Sequence, residues 1–512
     1  MKLVTTEQMR RIEEEAFSYG VSKNYMMRQV AFAVANRAQE ILSEQNYTKT
    51  VVLCGSGKNG QDALLTASEL HQRGTRVHVF AVSAWPQTTD MPQLAFSLTY
   101  IKNRTDIDKL SDTITNGTLV IDGLFGTGLT RLVDGLISQV ISVINAASSN
   151  NENVKVISID VPSGLNADSG LIMGSCVVAC ETLACGLGKI GLFQNSGSSH
   201  TGSVSFCDIG LPSKTYEAIK AELIDKDLAK RLLPSRSQFT CKNGFGKVLI
   251  VGGSASYVGA PVLAALGAAK SGVGITTLAQ PKSIYLSSAP AVLFATHLPC
   301  EDFEGNFSAA SATKLSDHFN DYDAMAIGCG VSPDVQAFNF MWQCLIAAQK
   351  AGLKTVADAG ALHMLSQKEG FFNELSDDLV LTPHAGEMSR LSGLTVDYIN
   401  QNKIAVALEY AQKWHKIILL KGPNTVIAAP NGEFYVASFA NSILAVGGSG
   451  DVLSGCIAAL MAQGLGALDA CALAVYLQGA SANICAKRFG RRGVTPDQIA
   501  ASICEAIAEL EV

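Results

Sequence analysis

A glycine-rich loop with one acidic residue precedes a predicted helix near the carboxyl end of the chain. The segment AVGGSGDVLSG covers residues 445–455 and places Asp451 in the first turn of that helix. Glycine loses much conformational entropy on folding, so a glycine cluster marks a backbone that approaches another group closely. The unpaired N–H groups of a helix N-terminus favour an anion such as phosphate. Asp451 is therefore either a charge that complements the helix dipole or a catalytic base beside a phosphate-binding loop.

A second glycine-rich loop lies in the first half of the chain. Gly55, Gly57 and Gly60 form G-x-G-x-x-G after a predicted strand and before a predicted helix. This pattern is typical of a dinucleotide site when an acidic residue follows about 20 residues later and binds the ribose. The next strand runs into VSAWPQ (82–87), which contains no acid. An ordinary NAD-dependent oxidoreductase is therefore disfavoured.

Polar side chains follow several strands of this first half. Asn59 and Asp62 lie in the glycine loop, Asp122 ends one strand, and D-V-P-S-G supplies Asp160 and Ser163 at the next. Ligands bind at the carboxyl ends of parallel strands in open α/β sheets. Oxygen atoms of these types suit a hard cation. The alternative is that each acid only caps a helix, but several such residues together favour a ligand site.

Strands and helices alternate along both halves of the chain, which predicts parallel sheets. Helices are predicted at 6–19, 25–43, 62–74 and 260–272. Strands are predicted at 50–55, 76–82, 118–126, 154–164, 246–253, 323–330, 354–360, 379–387, 416–422 and 424–430. A polar stretch at 211–244 is the best candidate linker. We therefore predict an α/β protein with an N-terminal Rossmann-like parallel-sheet domain (1–222) and a second α/β domain (226–512).

Composition limits the function classes. The chain of 512 residues is 48% hydrophobic with a net charge of -6, which disfavours a nucleic-acid partner. No apolar run reaches the roughly 18 residues of a membrane span. The N-terminal segment predicts an amphipathic helix and no signal peptide. The thirteen cysteines form no C-x-x-C pair, and we expect buried, reduced thiols. A cytoplasmic protein that forms a homo-oligomer is expected.

The first half resembles the family of NAD(P)H-hydrate epimerases, which carry G-N-N-G-G-D-G, D-x-x-F-G-T-G-L and D-x-P-S-G. The resemblance implies that Asp160 lies near the reacting carbon and that Asn59, Asp122 and Ser163 hold a potassium ion. It implies that the substrate contacts two loops, comprising Lys58, Asn59, Gly60, Gln61, Asp62, Gly126, Thr127, Gly128, Leu129, Thr130, Arg131 and Leu132. Lys58, Gln61 and Ala63 depart from the family pattern. Bulk at Gln61 is expected to crowd the ligand, and the Lys58 ammonium group to repel or replace the ion.

The second half resembles the ADP- or ATP-dependent NAD(P)H-hydrate dehydratases, which have a ribokinase-like fold. The resemblance rests on GAPVLAALGAAKSGVG, TPHAGE, LKGPNT and GGSGDVLSG. Together the two halves resemble the bacterial bifunctional NAD(P)H-hydrate repair enzymes. Four departures, at Cys241, GCGVS (328–332), DAG (358–360) and ANSILAV (440–446), are expected to loosen the substrate cleft.

The dehydratase resemblance implies a chemistry. The hydrate carries a hydroxyl on carbon 6 of the reduced ring, and the enzyme phosphorylates it from ADP or ATP with magnesium before phosphate leaves. Asp451 would take the hydroxyl proton as a general base. Ala260, Gly330 and His384 would contact the hydrate. The nucleotide would contact Lys421, Gly422, Pro423, Asn424, Thr425 and Gly450.

The resemblance thus implies a bifunctional isomerase and lyase that acts on hydrated NADH and NADPH (NADHX and NADPHX). The alternative is a ribokinase-fold kinase of small molecules, such as a vitamin precursor, with a decayed N-terminal domain. Such a kinase would share the glycine-rich loop but release a stable phosphomonoester. The TPHAGE motif and the fused first domain favour the repair enzyme.

Overall fold

The computed structural model describes residues 1–44, 47–82 and 96–512. Residues 83–87, where we noted the missing ribose-binding acid, lie outside the described residues. The chain divides into one unit of residues 2–219 and another of residues 220–512 together with Met1. None of the helices in these ranges is long and apolar enough to cross a membrane.

The first unit is built around a parallel sheet of seven strands, in the order β4-β3-β2-β5-β6-β7-β9. A separate parallel pair joins β1 to β8. The strands are β1 (Leu3–Val4), β2 (Lys49–Cys54), β3 (Val77–Ala81), β4 (Ser97–Tyr100), β5 (Thr118–Gly123), β6 (Val154–Ile159), β7 (Glu181–Cys185), β8 (Gly188–Lys189) and β9 (Ser203–Cys207). The predicted parallel sheet is confirmed.

Helices cover the sheet of the first unit. They are α1 (Thr6–Ser18), α2 (Lys23–Glu44), α3 (Lys58–Gln72), α4 (Arg104–Thr113), α5 (Gly135–Asn150) and α6 (Gly197–His200). The core joins apolar strand residues such as Val51 and Val120 to Leu110 of α4 and Ile144 of α5. The two predicted N-terminal helices are confirmed, but α3 begins at Lys58 instead of 62. The residues expected in a loop therefore form its first turn.

The second unit contains a sheet of ten strands, in the order β10-β21-β20-β19-β18-β17-β16-β11-β12-β13. Only β20 runs antiparallel to its neighbours in the described sheet, and β14 and β15 form a separate antiparallel hairpin. The strands are β10 (Ala221–Ile224), β11 (Lys247–Val251), β12 (Ile275–Pro281), β13 (Thr296–Cys300), β14 (Asp302–Phe303), β15 (Asn306–Phe307), β16 (Ala324–Ile327), β17 (Lys354–Ala357), β18 (Val380–Leu381), β19 (Ile417–Leu420), β20 (Val426–Ala428) and β21 (Phe434–Ala437).

The helices of the second unit include α17, which carries the glycine-rich motif at its start. They are α7 (Lys226–Leu232), α8 (Gly259–Lys270), α9 (Tyr285–Ser288), α10 (Ser311–Ser316), α11 (Val335–Lys350), α12 (Gly360–Ser366), α13 (Phe371–Glu374), α14 (Ala385–Ser392), α15 (Val396–Gln401), α16 (Lys403–Trp414), α17 (Ser449–Ala462), α18 (Ala467–Phe489), α19 (Pro496–Ala501) and α20 (Ile503–Glu511).

Close packing of α17 on α8 explains part of the glycine cluster. A Cβ atom on Gly455 would lie 1.8 Å from the Ala264 carbonyl oxygen, and one on Gly267 would lie 2.2 Å from that of Val452. Gly448 precedes α17 with φ 96°, in the left-handed region that favours glycine. Gly455 therefore serves helix packing, whereas Gly448 sets the turn into the helix.

The polar stretch at 211–244 is not simply a linker, so that prediction is wrong for its middle part. Strand β10 pairs with β21, and Leu223 and Ile224 are buried in the second unit. Helix α7 follows directly, capped by the Asp225 side chain. The three apolar residues of β10 were not recognised as a strand because charged residues surround them in the sequence. The boundary lies between residues 219 and 220, so residues 220–222 belong with the second unit.

This boundary predicts a difference between two fragments. Residues 220–512 should melt about 5–10 °C above residues 226–512, because the shorter fragment loses two buried side chains worth about 1.5–3 kcal/mol each. Circular dichroism melting curves measure the difference. A fragment of residues 213–512 serves as the control and should melt with residues 220–512. Equal melting of the 220–512 and 226–512 fragments would contradict the assignment of β10.

Candidate active sites

A cleft of about 490 Å³ opens at the carboxyl ends of the strands in the first unit. Helices α1 and α2 contribute one wall, with Arg10, Glu13 and Lys23 among its residues. The predicted residues that line it are Lys58, Asn59, Asp62, Gly126, Thr127, Gly128, Leu129, Thr130, Arg131 and Asp160. The two loops expected at the substrate thus face one cavity.

Three of the predicted substrate residues are not among those that line the cleft. Gly60 is buried, and a Cβ atom on it would lie 1.9 Å from the Gly55 carbonyl oxygen. Leu132 is 65% exposed outside the cleft. Gln61 does not line the cleft either, so the expected crowding of the ligand by Gln61 is wrong. Because α3 begins at Lys58, residues 60 and 61 point elsewhere on its first turn.

Ala63, another departure from the family pattern, fits because its neighbour is a glycine. Ala63 is fully buried, and a Cβ atom on Gly123 would lie 2.4 Å from the Ala63 Cβ atom. The methyl group therefore occupies space that Gly123 leaves open. Lys58 is largely exposed, and its ammonium nitrogen lies 3.6 Å from a carboxylate oxygen of Glu13.

Asp160 forms a buried ion pair that the sequence analysis missed. Its Oδ1 accepts a hydrogen bond of 2.5 Å from Lys189 Nζ and one of 3.1 Å from the backbone N–H of Cys185. Burial alone would lower the pKa of Lys189, but the Asp160 carboxylate outweighs burial and raises it. Asp160 also has φ 66°, a strained conformation for a residue with a side chain. The signal for Lys189 was a lone lysine in the apolar segment GLGKIGLF.

Asp62 faces the same cleft in a different electrostatic state. Its Oδ1 is buried and has no hydrogen-bond partner among the described residues. Burial and the nearby charge of Asp160 raise the pKa of Asp62 to about 8. Asp62 is therefore mostly protonated at neutral pH and can donate a proton. The cleft thus combines a neutral carboxyl group with a lysine-paired carboxylate.

The three predicted potassium ligands lie together beneath the cleft. Asn59 Nδ2 lies 2.7 Å from the carbonyl oxygen of Phe125 and 3.1 Å from that of Ile159. Ser163 Oγ donates to Asp122 Oδ1 at 2.6 Å and lies 3.2 Å from the Phe125 carbonyl oxygen. Carbonyl and hydroxyl oxygens are ligands that potassium accepts, so the Phe125 and Ile159 carbonyl oxygens and Ser163 Oγ are the groups here that would suit such an ion.

Asp122 stabilises this arrangement through hydrogen bonds. It is fully buried and accepts further hydrogen bonds from the N–H groups of Leu124 and Ser163 and from the hydroxyl of Ser158. Burial raises the pKa of Asp122 despite these donors. Its oxygens are therefore largely used within the protein, and they orient Ser163.

The second unit contains a matching buried pair at the end of β17. Asp358 is 2% exposed, and its Oδ1 accepts a hydrogen bond of 2.8 Å from Lys421 Nζ. Its Oδ2 accepts one of 2.7 Å from Ser454 Oγ in α17. Burial alone would raise the pKa of Asp358, but Lys421 outweighs burial and lowers it. DAG (358–360) was noted only as a departure from the family pattern, so the role of this aspartate was not predicted.

The same pair reaches the glycine-rich loop. A Cβ atom on Gly450 would lie 3.3 Å from Lys421 Nζ and 3.7 Å from Asp358 Oδ2. Lys421 and Gly450, both predicted to contact the nucleotide, therefore lie side by side. A side chain at position 450 would occupy the space over the ammonium group, which explains the glycine there.

Asp451 lies beside this pair in the first turn of α17. Burial and the negative charge of Asp358 raise the pKa of Asp451 to about 7. The buried thiol of Cys329 is near enough to Asp451 to affect its pKa. A carboxyl group that titrates near neutral pH is suited to act as a general base. This environment favours the catalytic interpretation of Asp451 over the helix-dipole one.

The turn after β19 is held by a second buried lysine. Lys403 Nζ donates a hydrogen bond of 2.6 Å to the Pro423 carbonyl oxygen, and burial lowers the pKa of Lys403 to about 8. Gly422 has φ 139°, which leaves room for that ammonium group. Asn424 Nδ2 donates to the Ala437 carbonyl oxygen at 2.9 Å, and Thr425 Oγ1 to that of Gly422 at 2.9 Å. The side chains of Asn424 and Thr425 therefore build the turn.

His384 begins α14 and has a fixed orientation. Its Nδ1 accepts hydrogen bonds from the N–H groups of Gly386 and Glu387, at 3.0 and 3.2 Å. Its backbone N–H donates to Glu387 Oε2 at 2.9 Å, which completes a capping box. The side chain is 55% exposed, and its Nε2 lies 3.5 Å from Glu387 Oε2. The backbone of His384 also pairs with Lys421.

Ala260 and Gly330 lie in contact, as their predicted shared role requires. A Cβ atom on Gly330 would lie 2.6 Å from the Ala260 Cβ atom. Gly360, which departs from the family pattern, packs against the loop at 328–332, since a Cβ atom there would lie 2.7 Å from the Val331 carbonyl oxygen. These two departures therefore pack closely against each other at this point, and the expected loosening of the cleft stays a prediction.

Comparisons with known proteins match both units. The family model described as YjeF-related protein N-terminus matches residues 23–191, and the model described as NAD(P)H-hydrate dehydratase matches residues 248–505. A bifunctional NAD(P)H-hydrate repair enzyme of Dictyoglomus turgidum is 33% identical over 523 residues, covering 100% of this chain and 99% of the relative. The chain belongs to this family of bifunctional repair enzymes.

A further relative and a solved structure agree with this membership. The repair enzyme of Moorella thermoacetica is 33% identical over 508 residues, covering 96% of this chain and 94% of the relative. A ribokinase-like superfamily protein of Enterococcus faecalis covers 57% of this chain and 96% of its own, with 25% identity and a TM-score of 0.50. The expected ribokinase-like fold of the second unit is thus confirmed.

The buried pair in the dehydratase unit predicts a stability effect. Lys421→Met should destabilise residues 220–512 by about 3 kcal/mol, because it leaves the Asp358 carboxylate buried without its partner. Urea unfolding measures the loss, and exposed Lys350→Met serves as the control with an effect within about 0.5 kcal/mol. The double variant Lys421→Met/Asp358→Asn should recover part of the loss. An unchanged free energy of unfolding in Lys421→Met would contradict the ion pair.

Proposed function

We propose that each unit of this repair enzyme performs one step on hydrated NADH and NADPH. The first unit interconverts the R and S hydrates at carbon 6. The second unit uses ADP or ATP to convert the S hydrate to NAD(P)H, with release of AMP or ADP and phosphate. The observation that carries the proposal is a repeated arrangement. In each unit burial, together with the charge of a lysine-paired aspartate, raises the pKa of a second aspartate towards or above neutrality.

In the dehydratase step, Asp451 takes the proton of the carbon-6 hydroxyl. The hydroxyl oxygen then forms a bond to the transferring phosphorus atom as the bond to the donor nucleotide breaks. Loss of phosphate breaks the carbon–oxygen bond, and loss of a proton from the neighbouring carbon restores the ring double bond. Phosphoryl transfer depends mainly on positioning and charge stabilisation. The N–H groups of residues 448–450 and the Lys421 ammonium group would supply both.

The remaining residues of this unit would orient the two ligands. Lys421, Gly422, Pro423, Asn424, Thr425 and Gly450 would hold the nucleotide. The half-exposed side chain of His384 and the contact between Ala260 and Gly330 would place the reduced ring. Magnesium would enter with the nucleotide. No group of three His, Cys, Asp or Glu side chains suited to a metal occurs in the described ranges, so phosphate oxygens would be its main ligands.

In the epimerase step, a neutral Asp62 would protonate the departing hydroxyl at carbon 6. The lysine-paired Asp160 would then accept a proton from the water that adds to the opposite face. The two carboxyl groups face one cleft, where burial raises the pKa of Asp62 and Lys189 forms an ion pair with Asp160. Asn59, Ser163 and neighbouring carbonyl oxygens, supported by Asp122, would hold potassium and fix the loop that carries Phe125.

Inversion in one unit and dehydration in the other predict complete consumption of a mixture of the two epimers. We expect Asp451→Asn to lower dehydration by roughly 10²–10⁴-fold while the R and S forms still equilibrate. Asp160→Asn should leave the R form at its spontaneous rate while the S form is repaired. Chromatography that resolves the epimers measures both, with and without potassium. The exposed aspartates provide controls in Asp108→Asn and Asp378→Asn.

Two outcomes would overturn this assignment. Near-normal turnover by the Asp451→Asn variant would show that Asp451 is not the general base. A phosphorylated hydrate that accumulates as a stable product would instead favour the kinase alternative.

The raised pKa values predict opposite pH dependences for the two steps. Dehydration should fall about tenfold per unit below pH 7, because Asp451 must be deprotonated to accept a proton. Epimerisation should fall above about pH 8, because Asp62 must be protonated to donate one. Both predictions are tested by kcat/KM as a function of pH. It is obtained from initial rates measured with and without nucleotide and corrected for the uncatalysed reaction. A flat dehydration profile down to pH 5 would contradict the first assignment.

A further inference from the structure

A second cleft, of about 430 Å³, opens in the carboxyl-terminal unit beside the loop that carries Gly330. Its walls are the segment after β11 (254–256), the tip of the β14–β15 hairpin (303–306) and the segment that enters the first turn of α11 (332–336). None of the proposed nucleotide-binding residues lines it. We call it the hairpin cleft.

The floor of the hairpin cleft is held by internal hydrogen bonds. Asn306 is 5% exposed, and its Nδ2 donates to the Ser332 carbonyl oxygen at 2.9 Å and to the Asp334 carboxylate. Asp334 also caps α11 by accepting from the Ala337 N–H group at 2.8 Å. The Ala255 N–H group donates to the Gly305 carbonyl oxygen at 2.8 Å. The hairpin is therefore fixed to both other walls.

One short loop connects the hairpin cleft to the catalytic base. Ser254 Oγ donates a hydrogen bond of 2.8 Å to the Gly330 carbonyl oxygen and lies 2.8 Å from Ser332 Oγ. The residue before Gly330 is Cys329, which is 1% exposed and lies near enough to Asp451 for the two groups to influence each other's pKa. A substrate whose reduced ring lies at Gly330 and Asp451 can therefore extend towards the hairpin cleft.

The chemistry of the hairpin cleft suits an uncharged nucleoside. Phe303 is 58% exposed and offers a face on which a base can stack. Glu304 is exposed at the hairpin tip with φ 50°, and Ser254, Ser256 and Ser332 add hydroxyl groups. Among the described residues that line the cleft, none is Lys, Arg or His. A phosphate group there would meet carboxylates without a compensating cation.

We propose that the hairpin cleft binds the adenosine half of the hydrated dinucleotide and that Glu304 accepts a hydrogen bond from its ribose 2′-hydroxyl. Carboxylates bind that hydroxyl in NAD sites, whereas a 2′-phosphate requires a cation. The unit therefore favours the NADH hydrate over the NADPH hydrate. This inference rests on the proposed dehydratase function. The donor nucleotide carries the same adenosine, but its proposed contacts are at the Lys421 turn, so the hydrate is the occupant.

The test compares kcat/KM of the full chain for the S forms of the two hydrates. We expect the wild type to prefer the NADH hydrate about tenfold, as a charge-assisted hydrogen bond would give. Glu304→Gln should reduce the preference to about twofold, and Glu304→Arg should reverse it. Glu, Gln and Arg all carry a Cβ atom, so each of them at position 304 has the same backbone strain from the positive φ. Exposed Glu369→Arg, outside the cleft, is the matched control and should keep the wild-type ratio.

Two further measurements identify which ligand binds in the hairpin cleft. The KM for ADP or ATP should be unchanged in Glu304→Arg, and a hydrate of reduced nicotinamide mononucleotide, which lacks adenosine, should react equally with every variant. A changed nucleotide KM with an unchanged hydrate ratio would assign the cleft to the donor instead. An identical hydrate ratio in all variants would overturn the proposal while dehydration itself stands.

Binding of the products separates this proposal from the proposed function. Calorimetric titration with NADH and NADPH should give the same preference and the same reversal in Glu304→Arg without turnover. A wild type that dehydrates neither hydrate would refute the function. Equal affinity for NADH and NADPH in wild type and Glu304→Arg would refute the cleft assignment.

Discussion

A buried lysine–aspartate pair at the end of a parallel strand is the interaction on which each active site depends. Asp160 meets Lys189 at 2.5 Å in the first unit, and Asp358 meets Lys421 at 2.8 Å in the second. Burying two charges costs several kcal/mol per ion, and the cost is offset only when geometry and additional hydrogen bonds are good. The Cys185 N–H group and the Ser454 hydroxyl supply such bonds. The strands and loops around both pairs are therefore constrained to keep these donors in place.

Each pair changes the chemistry of a neighbouring carboxyl group. The charge of Asp160 adds to burial at Asp62, and that of Asp358 adds to burial at Asp451. An unpaired carboxyl group thus acquires a pKa near or above neutrality, as acid–base chemistry requires. The glycine residues at the starts of α3 and α17 allow the backbone to come close to these carboxyl groups. The two units have different folds and motifs, but they use the same electrostatic arrangement.

The features that could be predicted from the sequence are those that local residue patterns encode. The two α/β units, the α17 motif and the loops around Asn59 and Gly126 followed from strand–helix alternation and motif order. The partner lysine Lys189 and the paired aspartate Asp358 were missed, because a buried ion pair joins segments about 30 and 60 residues apart. The packing around two departures from the family pattern was missed for the same reason. Ala63 lies against Gly123, and Gly360 lies against Val331. Strand β10 was missed because its few apolar residues lie within a charged stretch.

The titration of Asp451 tests this account most directly. In ¹³C-aspartate-labelled protein, with Asp451→Asn used to assign the signal, the carboxyl carbon of Asp451 should titrate near pH 7. Asp358→Asn should lower that pKa, because it removes the negative charge beside Asp451 and leaves the Lys421 ammonium group. Circular dichroism would establish that the variant is folded. Titration of Asp451 near its ordinary value of about 4 in the wild type, or no change in Asp358→Asn, would contradict the account.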